Sequence, residues 1–296
     1  NIRIIFVSYM KVLFIGVGLS HYFNQTLSRL NSEPNIEIIN LVDADGQGTV
    51  GGAVFQTKEG ITFKVASLVG KYHNKFSDYR YRQFVGLPNL LKEVKPDIIV
   101  VQEIYLIDFL HNKELADVIK EMNIKLIMKD IPFQTDTYDN TKRKILSGES
   151  DGRYVPVFVT FFISACDRLK LKKVPDFFQK IIHFTCMDKI YRKYIGRKVL
   201  LKRLEIKKQI ANMVDAHVNY VDDAYVIFES YGVSKNKIFV TRNSPDTDIL
   251  FEIRKKIEQE SSILPENKHR LVHLSRLIPW KRVDMIIESL KNLKPE

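Results

Sequence analysis

The sequence predicts an α/β fold built on a doubly wound parallel sheet, and three observations predict it. Short apolar runs of strand length alternate with amphipathic stretches of helix length. The run at 97–102 (DIIVVQ) is continuously apolar, the pattern of a strand buried on both faces. The first apolar run turns directly into the first helix through Gly16-Val-Gly18-Leu-Ser20-His21, a tight βα connection.

In order, 11–16 (KVLFIG) reads as the first strand. A helix follows over 21–30 with Phe23, Leu27 and Leu30 on one side, then a second strand at 36–42. A glycine-rich stretch, 46–52, leads into an expected hairpin, AVFQT (53–57) and ITFKV (61–65). The helix at 87–94 is stopped by Lys95-Pro96 and delivers the strand at 97–102. A helix at 112–122 and a strand at 125–128 continue the rhythm. The middle differs: 155–166 is almost wholly apolar, and 168–210 reads as helix broken near Pro175 and Gly196. The alternation then returns with a strand at 217–221, a helix at 222–230 and a strand at 237–242. The polar stretch 250–267 reads as a linker with helical character. A strand at 270–274 and a helix at 283–293 follow.

Composition sets the class. Of 296 residues 45% are apolar and 27% charged, which excludes disorder over most of the chain. With 13 Gly and 10 Pro the chain is neither collagen-like nor of low complexity. The two cysteines, Cys166 and Cys186, exclude a disulfide framework and a cysteine-zinc site and suit a reduced, cytoplasmic compartment. Residues 1–9 precede Met10 and read as an extension before a start. A membrane anchor over 2–19 would have to hold Arg3 and Lys11, each costing about 3 kcal/mol at a bilayer centre, so paired strands fit better. No small-residue signal cleavage site follows. The net charge is +11, and residues 168–208 alone carry 14 Lys or Arg against three acids. Basic amphipathic helices beside an apolar run suit an anionic membrane surface. Nucleic acid is the competing anion, but no recognition motif for it is present.

Gly46-Gln-Gly-Thr-Val-Gly51 matches GxGxxG, yet strand-like sequence follows it, so it lacks the helix N-terminus that holds a phosphate. No HRD or DFG triplet supports a kinase, and no GxSxG supports a hydrolase. His269 and His273 lack the glutamate of a zincin, and Asp43-Ala-Asp45-Gly46 lacks the rest of a calcium loop. The turn at Gly16, Gly18, Ser20 and His21 is a candidate phosphate or acceptor loop, with an ordinary βα turn as the alternative. Ser275-Arg276-Leu-Ile-Pro-Trp-Lys281-Arg-Val-Asp284 sits between a strand and a helix, where Arg276 and Lys281 form a clamp suited to a diphosphate.

At these residues the sequence resembles the retaining glycosyltransferases of the two-Rossmann GT-B fold, the family 4 or group 1 type. HLSRLIPWKRVDMIIESL (273–290) is similar to the family's "GRL-x-P-x-KG-x-D-x-LI" opening of the second domain. YGVSKNKIFVTRNSPDTD (231–248) is similar to its "gV-x-x-x-KI-x-V-x-pNgvD" segment, with Asn243 and Asp246 in the matching places. KVLFIGVGLSH and VKPDIIVVQE are similar to its first strand and its "kPDvvh" strand. Ser244 and Arg282 stand where the family has glycine.

The resemblance implies a complete Rossmann-like acceptor domain over 10–249, the linker 250–267, and over 268–296 the first βα unit of a second Rossmann-like, nucleotide-sugar domain. It implies transfer of a sugar from a nucleotide-sugar donor to a saccharide or lipid-linked hydroxyl acceptor, with retention, in cell-surface polysaccharide or glycolipid synthesis. Arg276 and Lys281 would bind the donor diphosphate. Gly16 and Gly18 would face the same phosphates or the acceptor. The family's histidine after the fifth strand of the first domain falls at Lys129-Asp130, which leaves Asp130 as the catalytic candidate. No metal and no cofactor is expected, the nucleotide sugar being a substrate; no nucleic-acid partner is expected. The location implied is the cytoplasmic face of the inner membrane, held there peripherally through 168–208. The chain stops one strand and one helix into the second domain, so it is expected to be a fragment that does not transfer sugar alone. A non-catalytic Rossmann-like binding or partner module is the second reading. A dinucleotide-dependent enzyme is the third, with Asp43 or Asp45 as the ribose ligand.

Overall fold

The computed structural model describes residues 9–16, 18–44, 56–73, 81–130, 135–149, 197–242, 247–260, 265–267, 269–275 and 281–291. The glycine cluster at 46–51, the run 155–166, most of the basic segment 168–208, and Asn243, Asp246 and Arg276 lie outside the described residues.

Seven strands form one parallel sheet: β1 (Met10–Ile15), β2 (Ile36–Asp43), β3 (Lys64–Leu68), β6 (Ile98–Val101), β7 (Lys125–Asp130), β8 (Ala216–Asn219) and β9 (Ile238–Val240). Their order is β3-β2-β1-β6-β7-β8-β9. This is the doubly wound Rossmann-like α/β topology that the alternation predicts. The sheet grows outwards in both directions from β1, so a switch point lies between β1 and β6. A separate antiparallel pair, β4 (Gly70–His73) and β5 (Tyr81–Phe84), sits between β3 and the helix α2 (Leu87–Val94).

The apolar runs become central strands because each finds ladder partners on both sides and helices on its faces. Alternate residues supply the two cores. Leu13, Ile15, Leu41, Ile99, Val101 and Met128 pack on one face, under α3 (Glu103–His111), α4 (Lys113–Glu121) and α6 (Arg197–Met213). Val12, Phe14, Ile38 and Val100 pack on the other, against Phe23 and Leu27 of α1 (His21–Asn31). Each of these side chains contributes about 2 kcal/mol by leaving water. Local signals set the boundaries. Asn112 caps α4 by accepting from the Leu115 amide at 3.3 Å. Lys95 ends α2 in the left-handed region, and Pro96 prevents its continuation.

Two expectations are corrected, and one helix is found where none was expected. The hairpin expected at 53–65 is not formed by the described residues: Gln56 bridges to Ser20, and the strand at 64–68 lies parallel to β2. An alternating strand reads the same in either orientation; here Thr57 is tied to Leu19 and Asn24, which turns the chain away from antiparallel pairing. Helix α3 was hidden because Tyr105, Leu106, Ile107, Asp108 and Phe109 are all buried, so no amphipathic stripe is left to read. The strand expected at 270–274 does not form; among the described residues no strand lies beside it to accept its backbone hydrogen bonds.

The helices α5 (Tyr138–Ser147) and α7 (Ala224–Ser230) also belong to the first of two compact units, Asn1–Asp246. The second, Thr247–Glu296, holds α8 (Thr247–Ile257) and α9 (Val283–Leu290), neither of which buries a residue. Helix α8 therefore occupies the first part, 250–257, of the stretch read as a linker. Among the described residues no helix is long and apolar enough to cross a membrane.

Candidate functional site

A parallel sheet sends all its strands' C-terminal ends to one edge, and in open α/β sheets ligands sit at that edge beside the switch point. Here that place is the turn after β1. Gly16 has φ of +93°, and a Cβ on it would lie 2.4 Å from Cε2 of Tyr105 and 3.1 Å from Oε1 of Gln102. Only glycine combines that backbone with that closeness. The turn is then locked from three sides. The Asn40 amide donates to the Gly18 carbonyl at 2.6 Å, and the Leu19 amide donates to Gln56 Oε1 at 2.6 Å. The Thr57 amide donates to the Leu19 carbonyl at 3.0 Å. Asn24 reaches both Leu19 and Thr57 through its own NH₂. Ser20 takes the N-cap position of α1 but makes no capping bond, and its buried Oγ has no partner among the described residues. Atoms of that kind are ordinarily completed by water. His21 is exposed at the first position of the helix.

Beside this turn lies a cavity of about 400 Å³. Gly16, Gly18 and Leu19 form one wall and the ends of β2 and β3 another. Phe84 and Tyr105, stacked with centroids 5.2 Å apart, form the apolar floor, and Lys58 places a cation at the mouth. The volume is that of a small-molecule site. Asp43 also reaches the cavity, but its carboxylate pairs with the buried Arg82 guanidinium and accepts from the Gly70 amide. A ribose ligand would have to compete with both, which counts against Asp43 in the dinucleotide reading; Asp45, its alternative, lies outside the described residues.

The fifth parallel strand, β7, ends at the same edge with Lys129 and Asp130 on opposite faces. Asp130 shares the face of Leu126 and Met128. There its charge raises the proton affinity of Lys207, which also pairs with Glu103 at 3.2 Å. Lys129 turns to the α1 face. Its ammonium donates to the Tyr220 hydroxyl and lies 4.8 Å from the Phe23 ring centre and 4.4 Å from that of Tyr220. Burial lowers its pKa to about 8, against a smaller opposing effect of Asp130.

The structure thus brings Gly16 and Gly18 to the cavity, leaves Ser20 and His21 outside its lining, and places Asp130 on the same sheet edge. Lys281 belongs to the second unit and is exposed. Arg282 holds φ of +48°, a conformation that glycine favours. Residues 197–208 of the basic segment form the start of α6. They do not present a uniform cationic face: Lys207 is ion-paired, and Lys208 lies over the Tyr138 ring at 4.7 Å. Among the described residues no three His, Cys, Asp or Glu side chains gather as a metal site would need.

Sequence reading missed Asn40, Gln56, Lys58 and the Arg82–Asp43 pair. Asn40 had a signal, being a polar residue inside the apolar run IEIINLV. The others join the site from loops and from a hairpin whose pairing the local pattern does not encode.

No protein-family model matches the chain, and no curated protein is similar to it at a significant level. Among solved structures it is similar to the UDP-GlcNAc 2-epimerase from Methanocaldococcus jannaschii, with TM-score 0.35 and 15% identity over 85% of this chain and 50% of that one. It is also similar to a wide-type short-chain dehydrogenase/reductase from Veillonella parvula in complex with NADP, with TM-score 0.28 and 9% identity over 49% of this chain and 58% of that one. The chain matches no more than about three-fifths of the length of either. At these scores the fold class rests on the strand order itself.

Proposed function

We propose that the chain carries the acceptor-side domain of a retaining glycosyltransferase that moves a sugar from a nucleotide sugar to a hydroxyl. The observation that supports it most is the 400 Å³ cavity against the locked Gly16–Gly18 turn at the switch point. The motif at 273–290 adds the donor half of the reading. In the reaction, the bond from the anomeric carbon to the diphosphate oxygen breaks. A bond to the acceptor oxygen forms on the same face, and the acceptor's proton leaves with the diphosphate. The diphosphate gains charge as it departs, which Arg276 and Lys281 would stabilise. The apolar floor of Phe84 and Tyr105 would exclude water, and Asp130 would accept from a substrate hydroxyl. The acceptor would be reached at an anionic membrane surface through 168–208, at the cytoplasmic face.

The test is a turnover assay with a panel of nucleotide sugars, on the 296-residue chain and on a version extended at the C-terminus. Transfer by the extended version, lost in Arg276→Ala and Lys281→Ala, supports the reading. Absence of transfer with every donor, beside a thermal shift with NAD(P) alone, overturns it. Salt-sensitive binding to anionic vesicles, without binding to neutral ones, tests the surface role.

A further inference from the structure

We propose that Lys129 and Tyr220 form an oxyanion-binding fork at the C-terminal edge of the sheet, which takes a carboxylate or phosphate group of the ligand. The fork stands on four observations. First, the Lys129 ammonium has three N–H donors, of which the Tyr220 hydroxyl takes one. Second, among the described residues no carboxylate is paired with it; Asp130, its neighbour in sequence, points to the other face and acts on it only as a smaller, longer-range charge. Third, burial raises the pKa of Tyr220, so this hydroxyl keeps its proton at neutral pH. Its oxygen accepts from Lys129 while its O–H is left to donate, so the two groups present adjacent donors. Fourth, the Phe23 ring on one side and the Tyr220 hydroxyl on the other hold the ammonium in one place, while both Lys129 and Tyr220 keep partial exposure.

A cation held by a ring and a hydroxyl, with no carboxylate within ion-pair distance among the described residues, offers an anion a fixed partner. Burial disfavours the Lys129 ammonium and lowers its pKa to about 8, a cost that a bound anion would offset. The position is also right: β7 is two strands from β1, roughly 10 Å at the usual strand spacing, with both ends at one edge. If the glycosyltransferase reading holds, the anion belongs to the acceptor, which makes it an acidic or phosphorylated saccharide; the fork itself does not depend on that reading.

The experiment is competitive reductive methylation of the full chain with formaldehyde and cyanoborohydride, mapped by mass spectrometry. The neutral amine attacks formaldehyde, water leaves, and hydride from the borohydride reduces the imine. Lys129 is expected to react faster than Lys207, whose proton is held by Glu103, by roughly tenfold or more. Glucuronate or inorganic phosphate is expected to protect Lys129, and glucose is not; whichever anion protects at lower concentration defines the group bound. By calorimetry, Lys129→Arg should keep anion binding, while Lys129→Met and Tyr220→Phe lose or weaken it. The proposal is overturned if neither anion protects Lys129, or if Lys129→Met binds both as tightly as the wild type. Either result leaves the nucleotide-sugar turnover assay to stand or fall on its own.

Discussion

The two units use the same kinds of sequence and obtain different structures from them. In the first, the apolar run Ile98–Val101 pairs with β1 on one side and β7 on the other, and three of its four residues are buried. In the second, the apolar residues Leu271, Val272 and Leu274 have no ladder among the described residues, and Leu274 is 98% exposed. The ion pairs repeat the contrast. Arg82 and Asp43 are 2% and 5% exposed, whereas Arg282 and Asp284 are 59% and 62% exposed. A residue's contribution is set by what surrounds it, not by its type, and substitutions can push on that difference from both sides.

The largest effect is expected at the buried pair. Arg82→Ala strips the Asp43 carboxylate of its cation inside the protein and should cost about 3–5 kcal/mol in denaturant unfolding. Arg282→Ala, on the exposed pair, should leave the midpoint where it is; equal losses at both would break the comparison. Ile99→Ala should cost about 3 kcal/mol through the cavity it leaves under α3, while Leu274→Ala should stay within about 0.5 kcal/mol. Gly16→Ala should cost about 2–3 kcal/mol, because the new methyl group must displace Tyr105 and the backbone stays left-handed. The same variant should weaken any ligand of the cavity.

Lys129 works in the opposite direction. Its folded pKa, about 8, lies below its ordinary 10.5, so between these values the unfolded chain binds more protons than the folded one. Stability from this group therefore rises with pH across that window and is lowest below pH 8. Lys129→Met should stabilise the protein by about 2 kcal/mol at neutral pH, a gain that shrinks as pH climbs towards 10. A gain that does not change with pH would show that the ammonium is not strained by burial.

These expectations mark how much was legible. The sheet was, because continuous apolar strands and tight βα turns are local signals, and so was the Gly16–Gly18 turn. Helix α3 was not, because burial all round erases its periodicity. The strand at 270–274 was misread because apolar content shows a strand's willingness, while pairing requires a neighbour. At the site, Lys129 stood beside the Asp130 candidate, but its role depends on Phe23 and Tyr220, which are distant in sequence and meet only through strand order.

The central claim is that ligands are held at the C-terminal edge of the sheet, between the β1 turn and the end of β7. Amide chemical shifts of the full chain, followed while a nucleotide sugar and then glucuronate are titrated in, test it most directly. The account predicts saturable shifts confined to residues 16–20, 56–58, 102–105 and 129–130, with Lys129→Met removing the glucuronate response. Saturable shifts clustered instead at the opposite edge, around Lys11, Asp97 and Lys125, would contradict it.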